Sequence, residues 1–150
     1  MRVVVQRVSS AAIHIGGNLK ASIGVGMLIL LGIEEADTAE DVDWLCARLA
    51  RLRIFPDENG VMNVDVMNSG GGLLVVSQFT LHASTRKGNR PSYIRAARPE
   101  TAVPLYEQFV RSLRKESGID VQTGEFGAMM QVELVNDGPV TILIDSRNRE

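Results

Sequence analysis

The first third of the chain follows the two-residue alternation of β-strands. Residues 2–8 are rich in valine, and residues 11–15 alternate apolar with polar side chains. A Gly-Gly-Asn run at 16–18 supplies turn chemistry, and residues 19–23 then run back, which predicts a hairpin. Residues 26–33 form a continuous apolar run of strand length, which predicts a strand that is covered on both faces.

Strand patterns return in the second half of the chain. Residues 73–81, 131–135 and 140–145 predict three more strands. The Asn-Asp-Gly-Pro sequence at 136–139 has turn chemistry and predicts a turn between the last two of them.

A segment with the apolar periodicity of a helix lies between these two groups of strands. Asp37 is the predicted N-cap, Glu40 stands three residues on as in a capping box, and Pro56 ends the segment. One apolar stripe follows at helical spacing: Val42, Leu45, Cys46, Leu49 and Leu52. Because Cys46 lies on this stripe, packing is favoured over reactivity as its role. Trp44 lies off the stripe.

A second helix is predicted to begin after Thr101 as its N-cap. This start puts Pro104 at the third helical position, where no intrahelical N–H bond is lost. Gly118 ends the helix. Its buried stripe comprises Tyr106, Phe109, Val110 and Leu113. Seven or so strands with two main helices predict an α+β fold.

Length and charge exclude several classes of protein. The 150 residues fit one domain spanning 1–150. The chain has 16 Lys and Arg against 18 Asp and Glu, which argues against binding to DNA or anionic membrane through bulk charge. One cysteine excludes an intrachain disulfide. The longest apolar stretch, 25–33, is shorter than the ~20 residues of a membrane helix, and residues 1–7 lack a signal-peptide core. We therefore expect a cytoplasmic protein without a membrane partner.

Several well-known catalytic motifs are absent. The chain contains no G-x-S-x-G elbow, no phosphate-binding G-x-x-x-x-G-K-[ST] loop and no H-E-x-x-H. His14 and His82 are its only histidines, and neither has a cluster of further metal ligands nearby in the sequence. We expect no metal and no cofactor.

Two short segments carry polar residues where an ordinary strand would not need them. Ser-Gln-Phe-Thr-Leu at 77–81 ends an apolar strand, and such ends commonly hold ligand contacts, although a strand emerging into solvent would look the same. Asn-Asp-Gly-Pro-Val-Thr at 136–141 contains a proline whose peptide bond could be cis, although a plain turn is the favoured interpretation on the pattern alone.

A third segment, residues 84–99, contains five cations and no acidic residue. Its cations are Arg86, Lys87, Arg90, Arg95 and Arg98, with Tyr93 among them. A solvated loop would account for them, but in an acidic chain they modestly favour a rim that faces phosphates.

Taken together, segments 77–81 and 136–141 resemble the two motifs of the D-aminoacyl-tRNA deacylase family. Supporting stretches lie at 1–8, 87–92 and 124–128, so the resemblance covers nearly the whole chain. It implies a single domain with a partly open barrel of mixed and antiparallel sheet, assembled as a homodimer. It also implies hydrolysis of the ester that joins a D-amino acid, or mischarged glycine, to the terminal adenosine of tRNA.

The resemblance also implies a role for individual residues. A cis Gly138–Pro139 peptide, braced by Arg7, would reach into the pocket of the other subunit and exclude an L side chain. The pocket would be lined by Ser77, Gln78, Phe79 and Thr80, with Ala102 at its wall. Met130 would lie near the adenosine; its spacing to Gly138 favours it over Met129. Lys87 and Arg90 are the candidate tRNA contacts.

The mechanism implied by these residues uses water as the nucleophile. Backbone N–H groups at Phe79 and Thr80 could stabilise the oxyanion, and the 2′-hydroxyl of the tRNA would activate the water. Thr80 as a nucleophile is the alternative, but a threonine hydroxyl without a base is weak. An RNA-binding module without turnover and a hydrolase of substrates without RNA remain competing functions.

Overall fold

A long strand that pairs on both of its edges, β1, lies at the centre of a mixed sheet. The computed structural model describes residues 1–149. Within them the strands are Arg2–Ile15 (β1), Asn18–Ile23 (β2), Gly26–Gly32 (β3), Phe55–Pro56 (β4), Met62–Val64 (β5), Gly72–Ser77 (β6), Val121–Thr123 (β7) and Gln131–Asp145 (β8). The helices are Ala39–Ala50 (α1), Val66–Ser69 (α2) and Pro99–Ser117 (α3), with a 3₁₀ helix at Phe79–His82.

Strand β1 pairs on both of its edges. It runs antiparallel to β3 and β2 along one edge and to β8 along the other. Strand β6 then lies parallel to β3, and β7 lies parallel to β6. This nearly closed mixed sheet, with helices, confirms the predicted α+β class. Strand β3 is buried along almost its whole length, as its apolar run predicted.

The apolar residues form two cores on opposite faces of the sheet. The larger core joins the sheet to the predicted stripes of α1 and α3, including Leu45 and Phe109. The smaller one, around Ile13 and Leu74, fills the inside of the curved sheet. Cys46 is fully buried, and its thiol donates to the carbonyl of Phe109 at 3.4 Å. Burial raises the pKa of that thiol to about 12, so the cysteine packs and stays protonated.

The predicted turn at 136–139 does not reverse the chain. Thr141 pairs with Gln6 and Asn136 pairs with Val8, so the residues between them bulge out of a strand that continues in the same direction. The side chain of Asn136 accepts a hydrogen bond from the Val140 N–H at 2.8 Å across this bulge. The prediction that a turn at 136–139 separates two strands was therefore wrong, because β8 runs through these residues. The Gly138–Pro139 peptide within the bulge is cis.

Helix α1 begins one residue later than predicted. Its N-cap is Thr38, whose backbone N–H donates to the Asp41 carboxylate at 2.8 Å. Asp37 is unavailable as a cap because its buried carboxylate accepts from the α-amino group of Met1 at 2.6 Å and from the Glu34 N–H at 2.7 Å.

Helix α3 begins three residues earlier than predicted from Thr101 as its N-cap. Arg98 is its N-cap and Pro99 its first residue, a position that proline favours because its missing N–H is not needed there. Thr101 instead donates its hydroxyl to Glu35 at 2.7 Å. Pro104 consequently lies inside the helix, on an exposed position. The C-terminal prediction is confirmed, since Gly118 caps the helix with a φ of 68°.

The two ends of the described chain meet at a buried charge network. The Met1 α-amino group contacts Asp37 at 2.6 Å and the Ser146 hydroxyl at 3.0 Å, and that hydroxyl donates to Asp41 at 2.6 Å. Arg147 adds a second cation 3.1 Å from Asp37. Burial would raise the pKa of Asp41, but the hydrogen bonds from Ser146 and Thr38 outweigh it and hold that pKa below its ordinary value.

We expect Asp37→Asn to destabilise the protein by about 3–5 kcal/mol, because it leaves the buried Met1 ammonium without its counter-charge. Glu40→Gln is the matched control, since Glu40 makes an exposed ion pair with Arg149 at 3.4 Å. It should cost less than about 1 kcal/mol. Urea unfolding at neutral pH measures both, and equal losses for the two variants would contradict the prediction.

Candidate active site

The segment 77–81 is a strand end followed by a helical turn, not the continuous strand expected over 73–81. Strand β6 ends at Ser77, and the Gln78 N–H donates to the Leu31 carbonyl at 2.7 Å. The chain then enters the 3₁₀ helix at Phe79–His82. As the first residues of that helix, Phe79 and Thr80 have backbone N–H groups for which the helix supplies no acceptor.

A glycine at the end of β3 allows this 3₁₀ helix to lie close to the sheet. A Cβ atom placed on Gly32 would lie 2.9 Å from the Leu81 Cβ and 3.0 Å from the Gln78 carbonyl oxygen. Any side chain there would push the helix away. The 3₁₀ helix therefore lies against the end of β3, next to the end of β6, the parallel strand that it follows.

A small open pocket, with a cavity volume of about 80 Å³, lies beside the 3₁₀ helix. It is lined by Leu31, Ile33, Ser77, Gln78, Phe79, Ala97, Ala102, Phe126 and Gly127. Four of the predicted site residues are thus brought together here from β6, the 3₁₀ helix and α3. Ala102 is buried, and its small side chain leaves room at the pocket wall.

Five of the lining residues were not predicted as site residues. Leu31 and Ile33 read in the sequence as ordinary core positions of an apolar strand, so nothing distinguished them. Phe126 and Gly127 lie in the stretch 124–128 that supported the family resemblance, which was the available signal. Ala97 lies in the basic segment, where a small apolar residue between arginines gives no signal of a pocket.

The Thr80 hydroxyl is held by an amide. The side-chain amide of Gln78 donates a hydrogen bond to the Thr80 Oγ1 at 2.5 Å. An amide is not a base, so it orients the hydroxyl without activating it.

Two aromatic pairs support the pocket. The half-exposed Phe79 ring meets Tyr93 edge-on, with centroids 5.1 Å apart. Phe126 meets Tyr106 at 5.8 Å, and the Tyr106 hydroxyl donates to the Val75 carbonyl at 3.1 Å. Burial raises the pKa of Tyr106 to about 12, so this donor stays protonated and the Phe126 wall stays braced.

The bulge of β8 is braced by Arg7. Its guanidinium donates to the Asp137 carbonyl at 2.9 Å and to the Ile54 carbonyl at 2.6 Å. Gly138 has a φ of +144°, which favours glycine, and a Cβ there would lie 2.7 Å from Val140. Gly138 and Pro139 are exposed and do not line the pocket of their own chain.

The methionines at 129 and 130 have different environments. Met129 is 90% exposed, whereas Met130 packs against the smaller core beside Ile13 and Gly124. Met130 does not line the pocket. Neither residue lies in β8, which begins at Gln131.

The basic segment is partly anchored and partly free of the core. Ser84 and Ser92 exchange two backbone hydrogen bonds of 2.9 Å, which close a loop whose exposed residues include Lys87 and Arg90. Arg95, by contrast, lies 2.5 Å from the Glu34 carboxylate. Among the described residues, no helix has the length and apolarity needed to cross a membrane, and no three His, Cys, Asp or Glu side chains gather where they could hold a metal ion.

A family model described as D-Tyr-tRNA(Tyr) deacylase matches residues 4–145. The chain belongs to this family. Curated relatives named D-aminoacyl-tRNA deacylase share its full length: those of Bacteroides fragilis and Akkermansia muciniphila are 62% and 63% identical over 150 residues, with all of each chain covered. The predicted deacylase family is confirmed.

Solved structures confirm the fold of this deacylase family member. The c-Myc DNA Unwinding Element Binding Protein matches with a TM-score of 0.90 and 40% identity, over 97% of this chain and 98% of its own. A probable eukaryotic D-amino acid tRNA deacylase matches with a TM-score of 0.80 over 95% of this chain and 97% of its own. At 17% identity, the second likeness shows the fold alone.

Proposed function

We propose that this enzyme hydrolyses the ester of D-aminoacyl-tRNA, and of mischarged glycyl-tRNA, while rejecting L-aminoacyl-tRNA. It acts as a cytoplasmic homodimer whose single domain spans 1–150, and it serves as a chiral proofreader in translation. The observation that carries the proposal is the pocket in which Ser77, Gln78, Phe79 and Ala102 meet beside two helix-terminal amides, in a chain of the deacylase family.

The proposed chemistry needs an oxyanion site and a water. The N–H groups of Phe79 and Thr80 start the 3₁₀ helix and are suited to bind the oxyanion of the tetrahedral intermediate; losing one such donor costs about 3–4 kcal/mol in other enzymes. Gln78 supplies an amide and no base to Thr80. The water attacks the ester carbon, the 2′-hydroxyl of the tRNA assists it, and the 3′-oxygen leaves with a proton.

Chiral rejection is proposed to come from the second copy of the chain. Gly138 and Pro139 are exposed on a bulge that Arg7 fixes to Ile54, and they are missing from the pocket of their own chain. A bulge inserted from a partner would present backbone atoms, which cannot rotate away from an L side chain. Glycine has no side chain to reject, so glycyl-tRNA would be accepted.

The substrate's RNA is proposed to lie across the exposed loop that carries Lys87 and Arg90, whose charges suit phosphates. Met130 stays a prediction as a neighbour of the adenosine. A relative of 40% identity is titled a DNA unwinding element binding protein, so DNA binding is the competing activity. The chain has two more acidic than basic residues, which disfavours binding to DNA through bulk charge. The pocket beside the 3₁₀ helix favours a substrate with an aminoacyl ester at the end of an RNA.

We expect the protein to hydrolyse D-tyrosyl-tRNA and glycyl-tRNA but not L-tyrosyl-tRNA or free D-tyrosine methyl ester. Deacylation of each is measured at equal substrate concentration, with light scattering of the same sample for the dimer and duplex DNA as a competitor. Cleavage of the methyl ester would favour a hydrolase of substrates without RNA. Binding of tRNA without cleavage would favour an RNA-binding module.

We expect Thr80→Ala to keep measurable hydrolysis of D-tyrosyl-tRNA, with kcat within about tenfold of the parent, because the hydroxyl positions and does not attack. Thr85→Ala, at an exposed position outside the pocket, is the control. Loss of all turnover by Thr80→Ala with unchanged tRNA binding would instead make Thr80 the nucleophile.

We expect Arg7→Ala to let the bulge move and so to raise hydrolysis of L-tyrosyl-tRNA relative to D-tyrosyl-tRNA by about tenfold or more, which corresponds to ~1.4 kcal/mol of lost discrimination. Arg51→Ala is the control, since Arg51 makes an exposed ion pair with Glu116 at 3.3 Å. An unchanged D-to-L ratio in Arg7→Ala would remove the bulge from chiral selection.

A further inference from the structure

A buried pair of polar side chains lies behind the 3₁₀ helix. His82 is the last residue of that helix, and its side chain is 1% exposed. Its Nδ1 lies 3.1 Å from Oε1 of Glu34, which follows β3 by two residues and has a side chain that is 14% exposed. The pair therefore links the end of β3 to the 3₁₀ helix that follows β6.

This pair is poorly satisfied as a structural element. Four buried side-chain atoms of residues 1–149 lack a hydrogen bond of acceptable geometry, and three of them are Glu34 Oε1 and the two ring nitrogens of His82. The two side chains are in contact at 3.1 Å, but this contact is not aligned as a hydrogen bond. Burying polar groups without hydrogen bonds destabilises a fold, so an apolar pair of the same shape would serve packing better.

Glu34 also contacts the segment that supplies another wall of the pocket. Its Oε1 lies 2.5 Å from Nη2 of Arg95, and its backbone forms a β-bridge with Ala96. The next residue, Ala97, donates its N–H to the Ile33 carbonyl at 2.8 Å and lines the pocket. One carboxylate oxygen thus touches both the 3₁₀ helix and the segment around residues 93–97.

We propose that Glu34 is a positioning residue for deacylation, which holds the 3₁₀ helix and the segment at 93–97 at a fixed separation through His82 and Arg95. This inference rests on the proposed function, since it assigns the amides of Phe79 and Thr80 to the oxyanion. Phe79 of the 3₁₀ helix also contacts Tyr93 of the segment at 93–97. If the Glu34 contacts are lost, we expect both the helix and this segment to move.

A small shift at this place has a large effect on rate. Donors must lie about 2.7–3.1 Å from the oxyanion, and a misplacement of about 1 Å can cost about 100-fold. We therefore expect Glu34→Ala to lower kcat for D-tyrosyl-tRNA by 10-fold to 100-fold, with a smaller change in KM. Glu34→Gln keeps the size and an acceptor oxygen for Arg95, so it should recover part of that loss.

The adjacent residue gives a matched control. The Glu35 carboxylate accepts from the Arg98 N–H at 3.0 Å and from the Thr101 hydroxyl at 2.7 Å, so it anchors the same part of the chain to the end of β3. No hydrogen bond or ion pair of Glu35 within residues 1–149 reaches the 3₁₀ helix. Glu35→Ala should leave kcat within about threefold of the parent.

The experiment measures kcat and KM of the full-length variants together with ¹⁵N-¹H spectra of the substrate-free protein. Glu34→Ala should shift or broaden the amide signals of Phe79 and Thr80, whereas Glu35→Ala should not. Unmoved amides, or equal kcat losses in the two variants, would overturn the inference. A different outcome is that the Phe79 and Thr80 amide signals move in Glu34→Ala while the parent protein hydrolyses no aminoacyl-tRNA. That result would refute the proposed function and leave Glu34 as the positioning residue of the 3₁₀ helix. Glu34→Gln keeps the comparison valid if Glu34→Ala fails to fold.

Discussion

The parallel pairing of β3 with β6 fixes the place of the candidate site. Leu31 pairs with Ser77, so both strands end at the same edge of the sheet. The chain leaves β3 towards Glu34 and leaves β6 into the 3₁₀ helix. Gly32 then lets that helix lie against the neighbouring strand instead of running into solvent. Every polar group assigned to the reaction depends on these two strand ends remaining in register.

The apolar pattern predicted the cores well but predicted the ends of the elements poorly. The stripes of α1 and α3 are buried as their helical spacing required, except that α1 ends at Ala50 and so leaves the predicted Leu52 half-buried beyond its end. Asp37 read as a cap because local sequence does not show that the Met1 amine, 36 residues away, claims its carboxylate. The 3₁₀ helix could not be read from residues 79–82, whose β-branched and aromatic residues suit a strand. Its position follows from a long-range contact with Gly32.

The site itself could be predicted only where its residues have an unusual type for their place. Polar residues at 77–80 and the Gly-Pro at 138–139 stood out, and both segments carried the family resemblance. The remaining walls are apolar or small residues such as Leu31 and Ala97, which no local pattern separates from core. Glu34 could not be predicted because a glutamate after a strand is an ordinary residue in the sequence, and only the structure shows that it is buried against His82.

The pocket is assembled from four stretches of chain, at 31–33, 77–79, 97–102 and 126–127. None of these stretches holds a pocket by itself, and the outermost two are almost a hundred residues apart. Catalytic activity is consequently a property of the whole cooperative unit and not of any fragment. Because the contacts that close the pocket join distant parts of the chain, the site is complete only when the sheet is ordered. Hydrolytic activity is therefore a stringent reporter of complete folding, and it disappears with the first global loss of sheet structure.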